Sequence, residues 1–258
     1  MSSQIVILGY HRSGTSALSQ NCQAAGLFLG DTLLGAKPSN PFGHFEDKDF
    51  FQVNEAILST NLARWDMSHD LAPVIRPEIR QAAMELVSRR NAQHELWGFK
   101  DPRTCILLDF WHSLLPDPKY LVCLRHYTTC VDSVVRRHVL DIYSRQQLGL
   151  DQSVAQYPLD YNGVCANWCV YMANLLAFLE TRDADRMVVR IDKMPKEISI
   201  IAEMNDAFGV DLDPIPLSKT FRSEVFQGKE IDDLPLDPAV KETADKLWAR
   251  LDTHISLQ

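Results

Sequence analysis

The sequence predicts an α/β protein with three layers, α/β/α, around a mostly parallel central sheet of the P-loop nucleotide-binding-like kind. Three observations carry this. Short apolar runs (Ile5-Val6-Ile7-Leu8, Leu96-Trp97-Gly98-Phe99, Tyr120-Leu121-Val122-Cys123-Leu124 and Met187 to Ile191) alternate with segments of helical periodicity. Such alternation builds a parallel sheet covered on both faces. The first run breaks on glycine into Gly9-Tyr10-His11-Arg12-Ser13-Gly14-Thr15-Ser16, which nearly fits the phosphate-loop pattern. Finally, 258 residues can bury a substantial core, and one domain over residues 1–258 is expected.

The elements follow in order. Strand 4–8 and anion loop 9–14 lead into a helix to about residue 26, where Thr15, Leu18, Cys22 and Ala25 share a face and Gly26 terminates it. Residues 30–45, rich in Gly, Pro and Asn, read as a loop of active-site size. A helix resumes near Asp49 and runs through Leu62, and Ile79, Ala83, Leu86 and Val87 mark another over 77–92. The second strand ends in Lys100-Asp101-Pro102-Arg103, and Cys105 to Trp111 reads as one compact helix. After strand 120–124 comes a helix marked by Val131, Val134 and Val135. Residues 145–160 are placed to cover the site, and 161–180 form a strongly apolar helix. The fourth strand, a helix from Ile198 to Phe208 and a last helix at 238–251 complete the chain.

Composition narrows the function. The formal net charge is −8 and the pI about 5.5, which argues against nonspecific nucleic-acid binding. No run of some twenty uninterrupted apolar residues suggests a membrane span, and no secretory leader pattern opens the chain. Cys22, Cys105, Cys123, Cys130, Cys165 and Cys169 form no close CxxC pair. They read as small buried hydrophobes in a reducing, cytoplasmic compartment, and no metal is expected.

The loop after the first strand carries chemistry. Backbone amides from Arg12 to Thr15 and the following helix end offer partial positive charge to an anion. Arg12 adds a cation, and Ser13, Thr15 and Ser16 add hydroxyls. Thr15 stands where a phosphate loop has its lysine, so a nucleoside triphosphate with magnesium fits poorly. Arg12, Lys100 and Arg125 each follow a candidate strand, and parallel sheets bind ligands beyond those strand ends.

Here the sequence resembles the sulfotransferases that use PAPS (3'-phosphoadenosine 5'-phosphosulfate). Arg12-Ser13-Gly14-Thr15-Ser16 is similar to their loop for the 5'-phosphosulfate. Leu124-Arg125-His126-Tyr127, with Ser133 eight residues after Arg125, is similar to their 3'-phosphate site, although Tyr127 replaces the usual proline. Asn40-Pro41-Phe42-Gly43-His44-Phe45-Glu46 resembles the segment carrying the acidic candidate base in bacterial and carbohydrate-type members. Trp97 to Arg103 resembles their Lys-Asp-Pro segment. Trp168, Tyr171 and Asn174 fit either the family's adenine-side helix or plain core. The motifs span residues 5–192, and the C-terminal quarter matches poorly.

The resemblance implies sulfuryl transfer to a hydroxyl of a saccharide or small metabolite, with PAP as product and no metal required. An acceptor hydroxyl approaches sulfur in line while a carboxylate takes its proton, and Arg12 with the loop amides stabilises the developing charge. Glu46 is the leading base and His44 its rival, since an imidazole titrates near neutrality. On an extended stretch the two share a side. Lys100 steers the sulfuryl group or keeps Glu46 ionised, and Asp101 orders Arg103. Loops 30–45, 64–77 and 145–160 shape the acceptor pocket, with Trp65, His69 and Tyr157 as candidate contacts. The alternatives are a P-loop kinase acting on a nucleotide or small molecule, and a catalytically silent nucleotide-binding protein of the same fold.

Overall fold

In the computed structural model, which describes residues 2–35, 43–150, 159–220 and 233–257, the four apolar runs become four strands. β1 (Ser3–Leu8), β2 (Leu96–Lys100), β3 (Pro118–Cys123) and β4 (Arg186–Val189) pair in parallel, in the order β2-β1-β3-β4. Strand residues alternate between faces, and this divides the core. Ile5, Ile7, Leu121, Cys123, Met187 and Val189 pack on one side, while Val6, Leu8, Phe99, Tyr120, Val122 and Val188 pack on the other. Both faces are therefore apolar, as a doubly covered parallel sheet requires.

The first face is covered by α1 (Thr15–Ala24) and α7 (Ile200–Phe208), through Leu18, Cys22, Ile200, Ile201 and Met204. The second carries α2 (Lys48–Thr60), α3 (Pro77–Gln93), a 3-10 turn (Pro102–Ile106), α4 (Leu108–His112), α5 (Tyr127–Gln147), α6 (Tyr161–Thr181) and α8 (Pro238–Asp252). Local chemistry sets their ends. Asp47 caps α2 by accepting from Asp49 N at 2.9 Å, Pro77 opens α3, and Ser199 caps α7, which ends on Gly209 at φ 65°.

Several boundaries differ from the sequence reading. The helix expected over Cys105–Trp111 is divided: Asp101 starts the 3-10 turn by accepting from Arg103 N at 2.9 Å, and α4 begins only after Leu107. α5 begins at Tyr127, before its valine signal. β4 stops at Val189, and the Arg190 side chain beyond it pairs with Asp192 at 2.9 Å.

α6 is apolar on most sides because α5, α8, α4 and the 3-10 turn all pack on it. By length and composition alone it could cross a membrane, yet most of it is buried inside the protein. The C-terminal residues cover the open edge of the sheet: Leu257 bridges to Val189 in parallel, and Arg190 N donates to Leu257 O at 3.1 Å. The chain leaves β1 toward β2 but later leaves β3 toward β4, so the loops after β1 and β3 diverge. That divergence opens a crevice at their carboxyl ends.

Candidate active site

Gly9 lets the loop after β1 close tightly. A Cβ there would overlap Cys123 O and lie 2.7 Å from Ser13 Oγ. Arg12 takes φ 67° and Gly14 φ 111°, and this curls the loop around the start of α1. α1 has neither a side-chain cap nor an acidic residue in its first turn. Its first amides lack intrahelical acceptors, so the end of the helix is left for an anion. Ser13 and Thr15 are buried in this turn.

The loop after β3 meets it. Arg125 donates from its guanidinium to Arg12 O at 3.1 Å, and Arg12 Nε donates to Ser133 Oγ at 3.0 Å. Residues far apart in sequence thus share one contact across the crevice. Burial, then Arg137 and Arg125, lower the Arg12 guanidinium to about 10. It stays charged, in a cavity crowded with cations.

Opposite the loop lies a buried ionic knot. Glu46 Oε1 accepts from Lys100 Nζ at 2.9 Å, and Oε2 accepts from Arg103 at 3.1 Å. Lys100 also reaches Ser16 Oγ at 3.4 Å. Arg103 is held further by Asp101 at 2.8 Å and Glu55 at 2.7 Å, and it lies 4.2 Å over the Phe51 ring. Behind it, Asp101 accepts from Asn54, whose carbonyl accepts from Trp111 Nε1 at 2.8 Å. Burial pushes the Glu46 carboxyl up, but Lys100 and Arg103 outweigh it and hold it at about 2.

His44 Nδ1 stands 3.9 Å from Glu46 Oε1, and His44 Nε2 lies 3.4 Å from Arg137. The two share a side, although not through an extended stretch: Phe45 takes φ 54°. The segment is fixed from behind by an antiparallel bridge of Leu33 with Asp47 and by Leu34 N donating to Glu46 O at 2.7 Å.

One cavity is lined by His11, Arg12, Gly14, Thr15, Ser16 and, across from them, His44, Glu46, Lys100, Arg125 and Arg137. Trp65 meets it through His11, at 4.9 Å between ring centroids, and its carbonyl accepts from Asn167 and Tyr171. His69 is exposed and does not line the cavity. Asn40, Pro41, Phe42 and Tyr157 lie outside the described residues. Trp168 and Tyr171 are core side chains, and Asn174 bonds within its own helix to Val170 O. Among the described residues, no group of three His, Cys, Asp or Glu is placed to hold a metal ion.

The sulfotransferase-family model matches residues 4–194. The chain belongs to the sulfotransferase family. Sulfotransferase STF9 from Mycobacterium avium aligns at a TM-score of 0.51 and 11% identity, over 100% of this chain and 78% of that one; the likeness is one of fold. The sulfotransferase domain of the Synechococcus PCC 7002 olefin synthase aligns at 0.47 and 18% identity, over 96% and 94% of the two chains. Sulfotransferase STF1 from Mycobacterium tuberculosis H37Rv aligns at 0.42 and 14%, over 89% and 77%. No curated protein matches the sequence.

The family match ends before α7 and α8, which complete the two core faces. Sequence reasoning overlooked Arg103 as a second cation on Glu46, and it overlooked Glu55 and Asn54 behind it. The adjacent Lys100-Asp101-Pro102-Arg103 run was the available signal: alternating charges just after a buried strand. It could not show where Arg103 would point.

Proposed function

We propose that the protein transfers the sulfuryl group of PAPS to a hydroxyl of a saccharide or small metabolite, without a metal, in the cytoplasm. One observation carries this reading: the loops after β1 and β3 meet through Arg12, Ser133 and Arg125. The loop amides, Arg12, Ser13, Gly14, Thr15 and Ser16 would hold the 5'-phosphosulfate, and Arg125 with Ser133 the 3'-phosphate. All six cysteines are free, which fits a reducing compartment.

In this reading Glu46 receives the proton of the acceptor hydroxyl. Its two ion pairs keep it ionised, and they also keep it weakly basic. Lys100 resolves the tension because it already reaches toward Ser16. A sulfuryl oxygen arriving beside Ser16 would draw Lys100 away from Glu46 and make the carboxylate more basic as charge develops on the donor. His44 is the second candidate base. Trp65, with His69 and Tyr157 farther along the acceptor loops, is proposed to contact the acceptor.

Calorimetric titration with PAP, PAPS, ADP and ATP in the absence of magnesium tests the donor. PAP is expected to bind more tightly than ADP. Equal affinities would overturn the assignment, and a strict magnesium requirement would point to phosphoryl transfer instead.

A further inference from the structure

His11 lies inside the anion loop, directly before Arg12, and lines the cavity. Its ring stands edge-on to Tyr10 at 5.4 Å and to Trp65 at 4.9 Å, and tilted against Tyr171 at 5.6 Å. Nε2 is sealed from solvent and has no hydrogen-bond partner among the described residues. Buried polar atoms are normally paired, so this one marks a ring nitrogen with a hydrogen bond still to make.

The charges around the ring explain what is missing. The charges of Arg103 on the 3-10 turn, Lys100 at the end of β2 and Arg137 on α5 act on it, and the Glu46 carboxylate opposes them. Glu46 is already engaged by Lys100 and Arg103. Tyr10, in the loop after β1, and Tyr171, on α6, pack on the ring and are held un-ionised by burial. Burial first, then the Arg103 charge, lowers the imidazole to about 3, so it is neutral at pH 7. A permanent cation at this position would be repelled by Arg12, Lys100 and Arg137; a titratable one escapes that conflict. A donor carrying phosphate and sulfate groups reverses the local balance, because anions within several ångströms favour the charged imidazole.

We infer that His11 is a donor-triggered cation: it takes up one proton from solvent when the anionic donor enters, and its imidazolium joins Arg12 in holding the sulfuryl end. This rests on the PAPS reading above. No heavy-atom bond forms or breaks in the step. The proton comes from the medium and returns to it when PAP leaves.

The test is calorimetric titration of the wild type and His11→Gln with PAP and PAPS, in two buffers of different ionisation enthalpy. The wild type should take up about one proton more per site than His11→Gln, and the difference removes the contribution of the nucleotide's own phosphates. Its affinity should strengthen by up to about tenfold per pH unit as pH falls below the bound-state value of His11, and flatten above it. The His11 ring signal in carbon NMR, assigned by its loss in His11→Gln or, should that variant not fold, His11→Asn, should move to the imidazolium position on binding. Equal proton uptake by wild type and variant, or a ring that stays neutral in the complex, would overturn the role of His11 while leaving the donor reading in place. Absence of PAP binding by the wild type would overturn the donor reading, and the role of His11 with it.

Discussion

Glu46 is held by two cations through both of its oxygens, and this defines what each substitution there reports. Glu46→Gln keeps the shape but cannot take a proton. We expect the single-turnover rate to drop by about 10²–10⁴-fold while PAP binding persists. His44→Asn should be milder, altering acceptor orientation. Single-turnover transfer across pH with both variants checks this, and a loss confined to His44→Asn would move the base to His44. Arg125 reports on the donor instead. Its contact with Arg12 O makes it part of the loop junction, and Arg125→Ala should remove most of the preference for PAP over ADP, about 2–4 kcal/mol. Parallel titrations with the two nucleotides measure that preference directly.

At the scale of elements, the loop after β1 depends on one residue without a side chain. Gly9 has φ 150°, and a Cβ would press on Cys123 O of β3 and on Thr15 at 2.8 Å. Backbone cannot yield as a flexible side chain can. Gly9→Ala should therefore cost at least about 1–3 kcal/mol in urea unfolding and weaken PAP binding, because the loop amides are displaced together. A variant with wild-type stability and affinity would show that the loop is looser than its contacts imply. The segment before α2 is secured differently. Arg90, almost fully buried on α3, donates to Asp47 at 2.8 Å and also pairs with Asp31 and Asp49. It therefore anchors the segment that presents His44 and Glu46.

For the whole molecule, the held carboxylate becomes a dependence of stability on pH. Glu46 titrates at about 2 in the fold against an ordinary 4.5. A depressed carboxyl stabilises the fold above its unfolded value, and the contribution is lost as pH falls through the folded one. Between pH 4.5 and 2 the wild type should lose on the order of 3 kcal/mol more than Glu46→Gln does over the same range. Urea melts at stepped pH give the two slopes, and parallel slopes would contradict the buried ion pair. The C-terminus matters at the same scale. Ala244, Leu247 and Leu251 of α8 pack on α6, and Leu257 covers the edge of β4. Removing residues 233–258 should expose the apolar side of α6, abolish cooperative unfolding and promote aggregation, as light scattering and circular dichroism would show.

Strands, helices and the tight loops after β1 and β3 were legible in the sequence because each rests on local chemistry. Four apolar runs mark the strands, Gly9 and Gly14 permit the tight turn, and Arg12 and Arg125 follow strands whose order in a parallel sheet brings their ends together. Boundaries were less legible where a side chain competes with the helix, as Asp101 does before Pro102. What the sequence by itself determined is which charged residues gather at the carboxyl ends of the strands. Only the tertiary structure decided which of them pair: Glu46 with Lys100 and Arg103, Arg12 with Ser133, and His11 Nε2 with no hydrogen-bond partner among the described residues. Periodicity and spacing act over a few residues, whereas a charge answers to every neighbour within several ångströms and to the water that burial removes, whatever the distance along the chain.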